Sequence, residues 1–141
     1  MSRYSLSVAS EFSIALPSFS SQPEAEAALI KRKDRALADL QSKLGKLDFT
    51  PESLKVLEAE ALQSGVLSIP PDQIGSYLGE VYCRSAGFNW VVSESPFAPG
   101  HYEIGVSRGL VTIMVTKGRT LTLDRNQRLQ SLWKEYQRYA P

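Results

Sequence analysis

With 141 residues, 43% of them hydrophobic, the chain has the size and composition of one globular domain. Sixteen basic against fifteen acidic residues leave a formal charge of +1, too little to set up a global field for nucleic acid or an anionic membrane. A single cysteine, Cys83, excludes an intramolecular disulfide and fits a reducing, cytoplasmic setting, and no apolar run approaches the roughly 18 residues that a membrane-crossing helix needs.

The first segment alternates. Tyr4, Leu6, Val8, Phe12, Ile14 and Leu16 share one parity, with Ser5, Ser7, Glu11 and Ser13 on the other, which predicts a strand with one buried face that bends at Ser10 and ends at Pro17. The serines and Glu11 interrupt any apolar core, so no signal peptide is expected. A helix should then open at Ser21, with Glu24 completing a capping box; Ile30, Leu37, Leu40 and Leu44 form its expected inner face, and Gly45 its left-handed stop. The run Lys31-Arg32-Lys33-Asp34-Arg35 reads as its solvated face, since Glu26, Asp34 and Asp39 interleave with the bases.

A second helix is predicted from Thr50 as N-cap and Pro51 at the first helical position, with Phe49 and Leu54 placed as a hydrophobic staple. Leu54, Leu57, Ala61 and Leu62 make its inner face, and Gly65 with Val66 closes it. Ile69-Pro70-Pro71-Asp72 separates it from a third helix. On a wheel of ~100° per residue, Ile74, Tyr77, Leu78, Val81 and Tyr82 share a broad arc; Gly75, Gly79 and Cys83 line up beside it, and Ser76, Glu80 and Arg84 form a narrow polar strip. Two glycines in a helix interior cost ~1 kcal/mol each relative to alanine. They make sense if a neighbour's close approach offsets that loss by dispersion. The helix is therefore expected to be central, its bulky face on the sheet and its smooth face against another helix.

From Phe88 onward the period becomes two. Phe88, Trp90 and Val92 alternate, as do Tyr102, Ile104 and Val106; Leu110 to Thr116 is rich in β-branched residues and is expected in the middle of the sheet, and Arg119 to Leu123 is a short further strand. Pro99-Gly100, Arg108-Gly109 and Lys117-Gly118 supply the turns. A last helix begins at Asp124, with Gln127 completing its box and Leu129, Leu132, Trp133, Tyr136 and Tyr139 facing inward. The whole is one α+β domain over residues 1–141: an antiparallel meander packed against three to four helices, with a central glycine-containing helix.

Tyr77-Leu78-Gly79-Glu80, then Gly87 and Trp90 opening a strand, then the Tyr-x-Ile strand at Tyr102, resembles a family of small bacterial proteins of unassigned activity. The likeness spans Ile74 to Tyr136, and Phe88 stands where the family pattern has its second glycine. It implies a bacterial origin and an α+β fold. Small proteins of that kind are often encoded beside secretion systems or toxin genes, which adds an immunity-type role.

The chemistry available is narrow. One histidine and one cysteine cannot build a zinc site without several carboxylates, and HExxH, CxxC, EF-hand, GxSxG, GxGxxG and GxxxxGK[ST] patterns are missing, so neither metal nor cofactor is expected. Cys83 falls on the smooth helix face, where a thiol behaves as a small hydrophobe. His101 and Glu103 share strand parity opposite Tyr102 and Ile104, either as a site or as the polar outer face of an antiparallel sheet. Phe97, in the loop from Glu94 to Gly100, is either an exposed binding aromatic or packed beneath that loop.

The expectation is a non-enzymatic interaction protein of the immunity or adaptor type with a protein partner, using the 94–102 loop or the polar face of the sheet. The alternatives are a small-molecule binder or enzyme, with Glu80, His101 and Glu103 around a pocket between the third helix and the sheet, and a nucleic-acid binder. The last rests on the segment after Thr116, which carries six basic and two acidic residues, with Arg125, Arg128, Lys134 and Arg138 beside Trp133, Tyr136 and Tyr139.

Overall fold

Helix caps and strand alternation resolve into four helices and a three-stranded antiparallel sheet in a computed structural model that describes residues 16–61, 69–114 and 131–140. In chain order the elements are α1 (Gln22–Lys43), α2 (Ser53–Ala61), α3 (Pro71–Ser85), β1 (Asn89–Glu94), β2 (Tyr102–Arg108), β3 (Val111–Ile113) and α4 (Leu132–Tyr139). This is the α+β class expected. All of the predicted strand over 4–16 except Leu16, the predicted strand over 119–123, the Lys117-Gly118 turn, the Asp124 cap with Gln127, and Leu62, Gly65, Val66, Arg125, Arg128 and Leu129 lie outside the described residues.

Helix α1 starts where its cap predicts: Ser21 Oγ accepts from Glu24 N at 3.3 Å. The Glu24 carboxylate takes the Ser20 hydroxyl. The buried face is Ala25, Leu29, Ala36 and Leu40. Only Leu40 of the four residues expected there is on it, while Ile30 is 38% exposed and Leu37 and Leu44 are half-buried. Small side chains at 25 and 36 let the helix lie close to the sheet and to α3, and that contact selects the alanine face over the bulkier stripe beside it. Gly45 does not adopt the left-handed stop, because Leu44 N still reaches Leu40 O at 2.8 Å and the chain leaves through Leu44.

Thr50 caps α2 through a 3.3 Å bond from Ser53 N, and the helix begins one turn-like step later than expected, after Pro51-Glu52. Leu54, Leu57 and Ala61 are fully buried. Phe49 before the cap takes φ 63° and stacks on Tyr77, ring centroids 4.8 Å apart. The Tyr77 hydroxyl accepts from Phe49 N at 2.7 Å and meets Ser53 Oγ at 2.6 Å. Ser53 Oγ itself donates to Thr50 O, so Tyr77 is the donor between the two hydroxyls.

Helix α3 is the centre of the molecule, and Ile74, Tyr77, Leu78, Val81 and Tyr82 have no exposed surface. Its neighbours differ from the expectation. Part of the bulky face meets helical elements: Tyr77 meets the start of α2, and Tyr82 stacks on Tyr136 of α4 and donates to Glu135 O at 2.6 Å. The smooth stripe receives the sheet, since the Trp90 indole fills the space where a side chain at Gly79 would go. Helix α1 also borders that stripe, with Lys33 near Cys83 and Trp90. Gly75 and Gly79 are buried and Cys83 is half-buried. Ser76 is buried too, which shortens the polar strip to Glu80 and Arg84.

The sheet order is β1-β2-β3, so among the described residues β2 is central and the strand after Leu110 flanks it. The register runs Trp90↔Val106 and Val92↔Ile104 between β1 and β2, and Val106↔Ile113 between β2 and β3. Gly109, at φ 60°, occupies the first turn position between Arg108 and Val111, which suits a tight hairpin. Val92, Tyr102 and Ile104 pack with Ala25 and Leu29 in one cluster, and Val106 joins the larger cluster around α3. Helix α4 is capped by Ser131 Oγ, and Glu58 of α2 accepts from Leu132 N at 2.7 Å.

Candidate functional site: the loop between β1 and β2

The loop from Ser95 to His101 contains two prolines, and every N–H between Ser95 and Tyr102 is donated. Ser95 N reaches His101 O at 2.8 Å, Ala98 N reaches Ser95 O at 3.4 Å and His101 N reaches Ala98 O at 3.0 Å. Phe97 N reaches Ser95 Oγ at 3.3 Å. Gly100 N donates to the Glu94 carboxylate at 2.7 Å, and Gly100 takes φ 82°, which glycine adopts without strain. Residues 17–19 brace the far side: Phe19 N donates to Gly100 O at 2.9 Å and Tyr102 N to Pro17 O at 3.0 Å, about an isolated bridge between Ser18 and His101.

On this closed scaffold Phe97 projects outward with 94% of its surface exposed. The alternative of packing beneath the loop is therefore overturned: the ring is almost wholly exposed, while Ser95 at the start of the loop is buried. Such an aromatic has little conformational freedom left to lose in its backbone when a partner covers it.

His101 and Glu103 are half-buried. His101 Nδ1 lies 3.3 Å from Pro99 O. Glu103 sits opposite Ser93 in the register, and the pleat sends it away from Tyr102 and Ile104, which are buried against α1. The structure thus brings Phe97 and His101 into one loop and puts His101 and Glu103 on one side of β2. It does not bring Glu80 to them. Glu80 sits on α3, on the helix-covered face, where its carboxylate accepts from Trp90 Nε1 at 3.0 Å and Arg84 Nε at 2.9 Å. Trp90 pairs with Val106, roughly 16 Å along β2 from His101 at the rise of a strand. Burial pushes the Glu80 carboxyl up, but the hydrogen bonds from Trp90 and Arg84 and the charges of Arg84 and Lys33 together hold it below its ordinary value. Burial, aided by the Glu80 charge, pushes the Cys83 thiol up to about 11, against the pull of Lys33.

Glu94 is the loop residue whose role was not legible. Its carboxylate clamps Gly100 six positions on, and only the acid-before-glycine-turn composition signals it. Elsewhere, the aromatics of α4 are engaged in packing: Tyr136 and Tyr139 lie against Tyr82, and Lys55 Nζ sits 4.4 Å from the Trp133 ring centroid. Lys134 and Arg138 are exposed, the latter 3.5 Å from Glu135. Among the described residues no helix is long and apolar enough to cross a membrane, and no group of three His, Cys, Asp or Glu is placed to hold a metal. No family model, curated protein or solved structure matches the chain.

Proposed function

We propose that this is a non-enzymatic interaction protein of the bacterial cytoplasm, of the immunity or adaptor type, which grips a partner protein through the β1–β2 loop with Phe97 as anchor. The observation that carries this reading is a fully presented aromatic on a loop with no undonated N–H between Ser95 and Tyr102. Aromatic side chains are enriched in protein interfaces, and covering a phenylalanine contributes roughly 1.5–3 kcal/mol. The half-buried His101 and Glu103 supply polar groups at the margin of the same contact. Leu110, equally exposed in the β2–β3 turn at the other end of the sheet, provides an internal control.

A photo-reactive phenylalanine analogue placed at position 97 in the native host should give one discrete cross-linked protein adduct, and the same group at position 110 should not. Adducts that are absent, or the same from both positions, would refute the assignment of Phe97.

A further inference from the structure

Antiparallel pairing with β2 uses only alternate backbone groups of β1. Ser95 N donates to His101 O, and the same phase runs back through Ser93↔Glu103, Val91↔Gly105 and Asn89↔Ser107. The N–H and C=O groups of Trp90, Val92 and Glu94 therefore point outward, along an edge that no strand among the described residues pairs, of the kind that templates pairing with another strand. Among the described residues one side chain covers part of it: Gln22, the first residue of α1, donates Nε2 to Val92 O at 2.7 Å, and Glu26 holds the same nitrogen at 3.0 Å.

We propose that the β1 edge is a self-association site, where a second copy of this chain adds antiparallel about a two-fold axis at Val92, and that the Gln22 amide is a latch which must first let go. In that register Val92 faces Val92 of the second copy, and Trp90 faces the second copy's Glu94. Lys33 Nζ stands 4.9 Å from the Trp90 ring centroid and pairs with Asp34 at 2.7 Å, so the arriving carboxylate would share that cation with Asp34. The helices fit. Ala25 and Leu29 cluster with the cross-strand pair Val92 and Ile104, which sets α1 over the seam between β1 and β2. Two such helices would lie about two strand spacings apart, roughly 9–10 Å, which is a normal helix-packing distance. Ile30, which is 38% exposed, follows Gln22 and Glu26 at spacing four on the flank that carries the latch, and the second helix would cover it.

Sedimentation equilibrium tests this, run from micromolar concentration to the limit of solubility. The wild-type mass should climb from one chain toward two. Gln22→Ala removes a bond that dimerisation has to break in each copy and should tighten association by at least about tenfold. Glu94→Pro, which deletes an outward N–H, and Ile30→Asp should each hold the chain monomeric; a cooperative melt verifies folding, and Ile30→Asp decides alone if the proline unfolds the strand. A flat monomer mass for both wild type and Gln22→Ala overturns the proposal. So does a dimer indifferent to Ile30→Asp, or growth beyond two chains, since a two-fold contact closes on itself.

Discussion

Replacing Gly79 with alanine sets two effects of opposite sign against each other. In a helix interior the change is worth ~1 kcal/mol of stability through backbone entropy. Here the new methyl would run into the Trp90 indole, with Cζ2 at 2.9 Å, Cζ3 at 3.0 Å and Cη2 closer still. The ring has little room to retreat, because Nε1 is bound to Glu80 at 3.0 Å and Lys33 lies over its face. Overpacking of this kind costs about 1–3 kcal/mol. The expected net result is a loss of about 1 kcal/mol and a fall of a few degrees in Tm for a chain of this length.

The sign should depend on Trp90. In a Trp90→Leu background, which keeps an apolar contact but removes the outer ring, Gly79→Ala should stabilise by ~1 kcal/mol, so the two sites couple by about 2 kcal/mol. Urea unfolding followed by far-UV circular dichroism gives the four free energies without relying on tryptophan emission. A Gly79→Ala change that is stabilising by the same amount in both backgrounds, within about 0.5 kcal/mol, would refute the account of why this helix carries a glycine here.

Three further outcomes are expected. Tyr77→Phe leaves the Phe49 N–H buried without its 2.7 Å acceptor and should cost about 1–3 kcal/mol in urea unfolding, whereas an unchanged midpoint would mean that the hydroxyl network adds nothing. Glu80, held below its ordinary carboxyl value of 4.5 in the folded chain, contributes stability that is present above the unfolded value and lost as pH falls through the lower folded value; the wild type should therefore lose stability more steeply than Glu80→Gln on acidification below about pH 4.5, and parallel profiles would contradict this. Cys83, lifted to about 11 from an ordinary 9.0, should react with iodoacetamide at pH 8 roughly a hundredfold more slowly than an unperturbed thiol, because only the thiolate attacks; a rate near that of free cysteine would show the burial to be transient.

What the sequence discloses and what it hides separate along one line, the range of the interaction. Caps were legible because they act over three residues: Ser21 with Glu24, and Thr50 with Ser53. The wheel of α3 was legible because five large side chains share one arc and all five are buried. The identity of the object pressed against Gly79 was not, since Trp90 arrives from a strand eleven residues on and the wheel cannot distinguish a ring from a helix. Ile30 misled for a related reason. An apolar stripe and an alanine stripe lie side by side on α1, and the choice between them is made by how closely the sheet and α3 approach. The exposure of Phe97 depends on the Glu94–Gly100 clamp and on segment 17–19 bracing the loop, contacts that no local pattern announces.

Trp90 connects these separate contacts. It packs against both hydrophobic clusters, the one around α3 and the smaller one where α1 meets Val92, Tyr102 and Ile104. Glu80 holds its ring nitrogen and Lys33 covers its face, so both helices fix the strand that carries it. That strand ends at Glu94, whose carboxylate shapes the loop under Phe97. The exposed aromatic is therefore presented by a chain of contacts that begins at the bare backbone of Gly79. Overpacking there should loosen the loop as well as the core, and faster hydrogen exchange at Phe97 and Gly100 in Gly79→Ala, beyond the rise set by the global loss of stability, would reveal that linkage. Exchange at the loop that rises no more than at Leu54 would show that the strand transmits nothing, and that the loop owes its shape to its own hydrogen bonds alone.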